Sequence, residues 1–273
     1  MNNQYLILTD EELSNYYCDN TFVKNQILDN TYAALMSADE TPVEIVHKKN
    51  GELKSPTCFS LTTAWNNGIK PRNLEQRMAF DMMNDDEVPV KLLTGSFGSG
   101  KDFIMINFAL KKLEEGKFDR LVWVRNNIDV ENTVNLGALP GDADNKLLPF
   151  AMPLADHLGG TDALLSFIDN GQIEIQHLGF IRGRDYKRTI VYCSEAENLT
   201  KKQVQLLLGR IGEGSQLWLN GDYRQADRRI FREDSGILSL IAALTGNRLF
   251  RHINLPKTER SEVASLADEL DKI

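Results

Sequence analysis

Seven consecutive residues carry the clearest chemistry in this chain. Gly95-Ser96-Phe97-Gly98-Ser99-Gly100-Lys101 follows the apolar stretch Val90 to Thr94 and precedes a helical pattern from about Phe103 to Glu115, stopped by Gly116. Between a strand and a helix, such a loop can wrap phosphate oxygens in backbone N–H groups. The helix N-terminus adds positive potential, and Lys101 can reach the outer phosphates. A glycine-rich turn with a chance lysine would need neither flank, and here both are present. The pattern therefore predicts a nucleoside triphosphate site.

The following position departs from the usual pattern. A phosphate loop ordinarily continues with Ser or Thr, whose hydroxyl binds magnesium; here the residue is Asp102. The other half of such a site is an apolar strand ending in an Asp that holds the ion. The candidate strand, Thr189 to Cys193, ends instead in Ser194, followed by Glu195. A carboxylate thus stands where a hydroxyl is usual, and a hydroxyl where a carboxylate is usual. Magnesium asks chiefly for oxygen donors in octahedral geometry, so a reciprocal exchange would let Asp102 and Ser194 share one Mg2+. The opposing reading is a decayed site, because Asp102 would repel nucleotide unless a cation is always present. Glu195 is the candidate general base that orients the attacking water.

The elements that must position these groups read as alternating strands and helices from residue 72 onward. Val90–Thr94, Leu121–Val124, Ile173–Ile175, Thr189–Cys193 and Gln216–Leu219 are continuously apolar, as strands of a parallel sheet buried on both faces should be. Leu136 to Gly160 reads as a long connection rich in Pro and Gly, and Ser261 to Ile273 as a helix. Residues 1–70 have shorter apolar runs and form a small strand-containing appendage or an extension packed on the main unit, 71–273. Within it, Val43–Val46 and Leu53 flank Asn50-Gly51, which predicts a hairpin with a type I′ turn.

Composition narrows the classes further. At 42% hydrophobic and 26% charged residues, the 273-residue chain is neither disordered nor collagen-like. No apolar run approaches the ~18 residues of a membrane span, and acids near the N-terminus argue against a signal peptide. Cys18, Cys58 and Cys193 make neither a disulfide framework nor a zinc pattern, which suits a reducing cytoplasm. His47, His157, His177 and His252 share no ligand spacing and read as structural. With a net charge of −8, any nucleic-acid contact must come from local basic clusters. Two exist: Arg182, Arg184, Lys187 and Arg188 before one strand, and Arg224, Arg228, Arg229 and Arg232 after another. They read as a single-strand track, as arginines reaching a neighbouring subunit's nucleotide, or as ordinary solvated faces. Arg182, Arg210 and Arg260 suit phosphate better than any lysine, because guanidinium is planar and bidentate.

Several blocks in order resemble the PhoH family of P-loop ATPases over about residues 70 to 270. They are Lys70-Pro71-Arg72-Asn73-Leu74-Glu75-Gln76, the phosphate loop, Arg125, Leu136-Gly137-Ala138-Leu139-Pro140-Gly141-Asp142, Ile181-Arg182-Gly183-Arg184, Ser194-Glu195-Ala196-Glu197-Asn198, Gly221-Asp222-Tyr223-Arg224-Gln225 and Glu259-Arg260-Ser261. The resemblance implies a RecA-like core, with Gln76 reading adenine, Gln225 sensing the γ-phosphate, and Lys101, Glu195, Arg182 and Arg260 serving turnover. It further implies ATP and Mg2+ as ligands, single-stranded RNA as a partner, and homo-oligomers, hexamers in the family. Residues 1–70 resemble the segment that links the ATPase to a PIN nuclease in some members, without the nuclease. Asp102, Ser194, Glu197 and Asn126 depart from the family pattern. Two functions follow as expectations: an ATPase that couples hydrolysis to RNA remodelling or unwinding, or a non-hydrolysing nucleotide-binding regulatory module.

Overall fold

The computed structural model describes residues 3–125 and 148–259. The chain opens with β1 (Gln4–Ile7), α1 (Asp10–Cys18), α2 (Thr21–Gln26), β2 (Thr31–Met36), β3 (Pro42–Lys49) and β4 (Glu52–Lys54). These four strands form one sheet in the order β1-β2-β3-β4, with β1 parallel to β2 and the other pairs antiparallel. The expected hairpin is present: Asn50 at φ 54° and Gly51 at φ 80° turn β3 into β4. Positive φ at both positions is what a two-residue turn between right-twisted strands requires.

The second sheet carries the phosphate loop. Its elements are α3 (Leu74–Asn84), β5 (Val90–Gly95), α4 (Lys101–Glu114), β6 (Arg120–Arg125), α5 (Met152–Leu158), α6 (Thr161–Asp169), β7 (Ile173–His177), β8 (Thr189–Cys193), α7 (Lys201–Leu208), β9 (Gln216–Gly221), α8 (Arg229–Glu233), α9 (Gly236–Leu244) and β10 (Phe250–Leu255). Six strands pair in the order β10-β5-β9-β8-β6-β7, all parallel. One face packs α3, α4, α5 and α6 over Leu93, Leu121, Trp123, Ile190, Tyr192 and Trp218. The other packs α7 and α9 over Leu92, Val122, Val191, Cys193, Leu217 and Leu219. This is the expected α/β architecture, a parallel sheet flanked by helices. Cys193, Trp123 and Trp218 are buried core residues, as their apolar strands suggest.

Part of the supposed Leu136–Gly160 connection is helical. Leu148–Ala151 form a 3-10 turn that runs into α5. Pro153 lies in the first turn of α5, where its missing N–H forfeits no internal bond. The proline that suggested a loop therefore starts a helix. The characteristic block 136–142 and the predicted helix at 261–273 lie outside the described residues.

The N-terminal sheet docks on the larger one through buried polar groups. Tyr32 stacks on His47 with ring centres 4.2 Å apart, and its hydroxyl donates to Asp81 of α3 at 2.8 Å. Arg251 of β10 donates to His47 Nε2 at 3.1 Å and to Asn30 Oδ1 at 3.0 Å. Burial, followed by the charge of Arg251, pulls His47 down to about 3, so the ring is neutral and Nε2 is free to accept. At the other end of β10, the Asn3 side chain donates to Asn254 O at 2.6 Å and accepts from Asn254 N at 2.9 Å. At the amino end of β5, Lys91 is fully buried, bonded to Gln216 Oε1 at 3.1 Å and facing the Trp218 ring at 5.3 Å.

Candidate functional site

The phosphate loop leaves β5 at Gly95 and enters α4 after Gly100, whose φ of +91° lies in the left-handed region. Gly95 is required by its neighbour: a Cβ there would collide with the carbonyl oxygen of Leu255 at the end of β10. Residues 256–259 run on from β10 as a strap over the loop. Ser96 Oγ donates to Pro256 O at 3.1 Å, Thr258 Oγ1 to Phe97 O at 2.7 Å, and Glu259 N to Gly98 O at 3.0 Å. Lys101 Nζ donates to the carbonyls of Gly95 and Ser96 at 2.7 and 2.8 Å, folding the ammonium back across the loop. Burial lowers its pKa, opposed by the negative charges of Asp102, Asp222 and Glu197. Phe97 is 53% exposed at the tip.

Asp102 sits in the first turn of α4 and reaches over the sheet. Its Oδ1 accepts from the Tyr192 hydroxyl at 2.6 Å and from Asn220 Nδ2 at 2.7 Å. Asn220 Nδ2 also donates to Tyr192 Oη at 2.7 Å, which closes a triangle of three side chains from α4, β8 and β9. Ser194 follows β8 on the same face as Tyr192, two residues along. The β8/β9 register pairs Cys193 with Leu219, so Ser194 is next in line with Asn220. Ser194 is buried, and its Oγ has no hydrogen-bond partner, as is also true of Ser99 Oγ in the loop. A buried hydroxyl without a partner costs about 1–3 kcal/mol, so each of these, one in the loop and one at the end of β8, marks a place where a ligand oxygen or an ion would fit. The chemistry suits magnesium, which takes one or two carboxylates with phosphate and water oxygens instead of a full protein cage. Among the described residues no group of three or more His, Cys, Asp or Glu side chains could hold a metal by itself.

A second set of groups stands at the ends of β8 and β9. Glu195 has a left-handed backbone at φ 53° and is ion-paired with Arg125 from the end of β6. Asp222 gathers its neighbours: Arg224 binds it through Nε and Nη2, each at 3.0 Å, and Gln225 donates to it at 2.8 Å. Glu197 is buried, and its Oε2 accepts from Asp222 N at 3.2 Å. Only a glycine at 221 admits that carboxylate, since a Cβ there would strike Glu197 Oε2. Burial, opposed by backbone hydrogen bonding and Lys101 and aided by the charge of Glu195, leaves Glu197 pushed up to about 8.

Beside the loop lies a cleft of about 570 Å³, lined by Ile69, Lys70, Arg72, Gln76, Phe80 and the loop itself on one side and by Pro153, Asp156 and His157 of α5 on the other. Gln76 faces it from α3, with Nε2 donating to Ser99 O at 3.0 Å and Oε1 accepting from Arg72 N at 2.9 Å. Each end of this amide keeps one further hydrogen-bonding position. Gln76, Gly98, Ser99, Gly100, Lys101 and Asp102 are thus brought to one cleft. Ser194, Glu195 and Gln225 stand on the loop's other flank, at the carboxyl ends of the strands.

The arginines divide. Arg184 pairs with Glu174 and Arg188 with Asp119, both at the amino ends of β6 and β7, which is the edge opposite the phosphate loop. Arg184 and Arg188 therefore do not flank this chain's own phosphate loop, although their place before β8 suggests it: the chain returns across the sheet before entering β8. Arg182 is exposed in the turn between β7 and β8 and does not line the cleft. Arg210 turns its Nη1 to Arg184 O at 3.3 Å, on that same far side. The second cluster follows β9 at the loop's edge, where Arg228, Arg229 and Arg232 are exposed. Arg260 lies outside the described residues. His252 Nε2 meets Thr94 Oγ1 at 2.8 Å, and His177 Nδ1 accepts from Gly179 N at 3.1 Å, so these rings have structural partners.

Tyr192, Asn220 and the strap residues Pro256 to Thr258 were not singled out from the sequence, whereas Glu259 was, within the block 259–261. One signal was available: Tyr192 and Asn220 are polar tips within otherwise apolar strand runs, each at the loop-facing end. No helix among the described residues is long and apolar enough to cross a membrane.

Comparison with known proteins places this geometry among relatives. Residues 68–268 match the family described as "PhoH-like protein". Protein PhoH2 of Bacillus subtilis is 32% identical over 233 residues, covering 81% of this chain and 51% of that protein. Protein PhoH2 of Mycolicibacterium smegmatis is 33% identical over 207 residues, covering 74% and 47%. A PhoH-like protein of Bacillus subtilis is 33% identical over 136 residues, covering 49% and 42%. The chain spans about half the length of the curated relatives it matches.

Proposed function

The chain belongs to the PhoH family of P-loop ATPases, and on that premise we propose that it binds ATP at the Gly95–Lys101 loop and hydrolyses it to remodel single-stranded RNA. The observation that carries the reading is the junction of a phosphate loop at a helix N-terminus with a cleft large enough for a nucleoside. Gln76, with one donor and one acceptor position to spare, suits the adenine edge. Lys101 exchanges the carbonyls of Gly95 and Ser96 for phosphate oxygens.

In hydrolysis, the water oxygen bonds to the γ-phosphorus as the bond to the β,γ-bridging oxygen breaks, and ADP leaves with the electron pair. Glu195 takes the proton of the attacking water, once Arg125 turns from it toward phosphate charge. Asp102 and Ser194 are the residues that would hold Mg2+, which supplies charge neutralisation across the outer phosphate oxygens. Gln225 sits within reach of Asp222, and a shift of that bond toward the γ-phosphate would report its presence. Exposed Arg228 and Arg229 beside Ile230, itself 55% exposed, support a surface for RNA backbone and bases. We place the protein in the cytoplasm, consistent with three unpaired thiols, as a homo-oligomer of the hexameric kind.

A second reading is favoured by one observation. Both polar groups proposed for the γ-phosphate are engaged elsewhere, Glu195 with Arg125 and Gln225 with Asp222. A module that binds nucleotide without turnover and signals through its bound state would keep them so. Magnesium-dependent ATP hydrolysis by the purified chain, with and without single-stranded RNA, separates the two. RNA-stimulated turnover supports the motor, ATP binding without turnover supports the module, and absence of ATP binding overturns both.

A further inference from the structure

The triangle of Asp102, Tyr192 and Asn220 has a geometry that ordinary phosphate loops do not need. A Ser or Thr hydroxyl at this position is short, neutral and fixed by the helix. A carboxylate carries a full charge and can rotate toward the phosphates it would repel. Here both protein donors end on Oδ1: Tyr192 Oη at 2.6 Å and Asn220 Nδ2 at 2.7 Å. The Tyr192 oxygen accepts from Asn220, so its own proton is directed to Asp102. The carboxylate is thereby pinned over β9 and β8, on the face where Ser194 follows Tyr192. Asn220 lies on the strand that separates β5 from β8, so it spans the gap between the two halves of the site.

We propose that Tyr192 and Asn220 are positioning residues that fix Oδ1 of Asp102 and present Oδ2, together with the unpartnered Ser194 Oγ, as ligands of the divalent cation that accompanies the nucleotide. The inference rests on the nucleotide-binding reading above and assigns the residues that make an exchanged metal site usable. Groups that orient a metal's ligands typically contribute about 10–100-fold in metal affinity.

The experiment is Mn2+ binding, followed by electron paramagnetic resonance in the presence of ADP, alongside ADP binding in EDTA. The variants are Tyr192→Phe, Asn220→Ala, Asp102→Ala and Tyr192→Phe in the Asp102→Ala background. Expected are losses of about 10–100-fold in Mn2+ affinity for Y192F and N220A. Metal-free ADP affinity should stay within about twofold of wild type, and Y192F should add nothing once Asp102 is gone. Three results overturn the proposal: wild-type Mn2+ affinity in Y192F, an equal loss of ADP affinity in EDTA, or a Y192F loss that persists without Asp102. A wild-type chain that binds ADP but shows no Mn2+ effect overturns the metal assignment alone. A chain that binds no ADP in either condition overturns the nucleotide reading itself.

Discussion

Replacing Glu197 by Gln tests the electrostatics of the site most directly. Glu197 is 7% exposed and is pushed from 4.5 up to about 8, chiefly by burial. The folded chain therefore keeps a proton that the unfolded chain loses between those values, and stability falls as pH rises through that window. At 1.36 kcal/mol per decade, the full penalty reaches about 5 kcal/mol above the folded value. Integration puts the penalty at about 1 kcal/mol at pH 5.5, rising to between about 4 and 5 kcal/mol by pH 8.5. Glutamine keeps an oxygen for Asp222 N and cannot ionise. The advantage of Glu197→Gln over wild type should thus grow by about 3 kcal/mol from pH 5.5 to 8.5. Urea unfolding followed through buried Trp123 and Trp218 measures it without nucleotide. An advantage that changes by less than about 1 kcal/mol across that range would refute burial as the cause.

Three further outcomes are expected. Lys101→Ala should weaken ATP binding at least tenfold while leaving the unfolding midpoint within a few degrees, as equilibrium dialysis and thermal denaturation would show. Asp102→Thr alone should abolish magnesium-dependent nucleotide affinity, and adding Ser194→Asp should restore it, a non-additive pair as expected for two ligands of one ion; additive losses would count against a shared metal. Lys91→Met should stabilise the fold by about 1–3 kcal/mol at pH 7, because the buried ammonium is costly. Burial draws Lys91 well below its usual range, so the wild-type deficit should deepen as pH falls toward the folded value; equal unfolding curves for the two chains would contradict it.

Much of this fold was legible in the sequence because its strands are buried on both faces and read as unbroken apolar runs. β8 begins and ends where that pattern does, at Thr189 and Cys193. The phosphate loop was legible because backbone and lysine chemistry are local. β10 was not, because it is an edge strand whose polar residues Arg251, His252 and Asn254 serve partners in the other sheet or in β5. Nor was the partnership of Asp102, since Tyr192 and Asn220 lie far along the chain and meet it only when α4 packs over β8 and β9. Pro153 misled for a physical reason: the same ring that breaks a helix interior suits a helix start. The placement of Arg184 and Arg188 was illegible because a charge run does not say which end of a parallel sheet it will border.

The bonds between Asn3 and Asn254 bear on how copies of this chain can meet. β10 closes one side of the six-stranded sheet, and an open strand there would offer N–H and C=O groups to any extended segment. The Asn3 amide takes both polar groups of Asn254, imitating one rung of a neighbouring strand with a side chain. A strand added from a second molecule would have to displace that side chain at this rung. A side chain placed there works against this edge of the sheet becoming a template for aggregation.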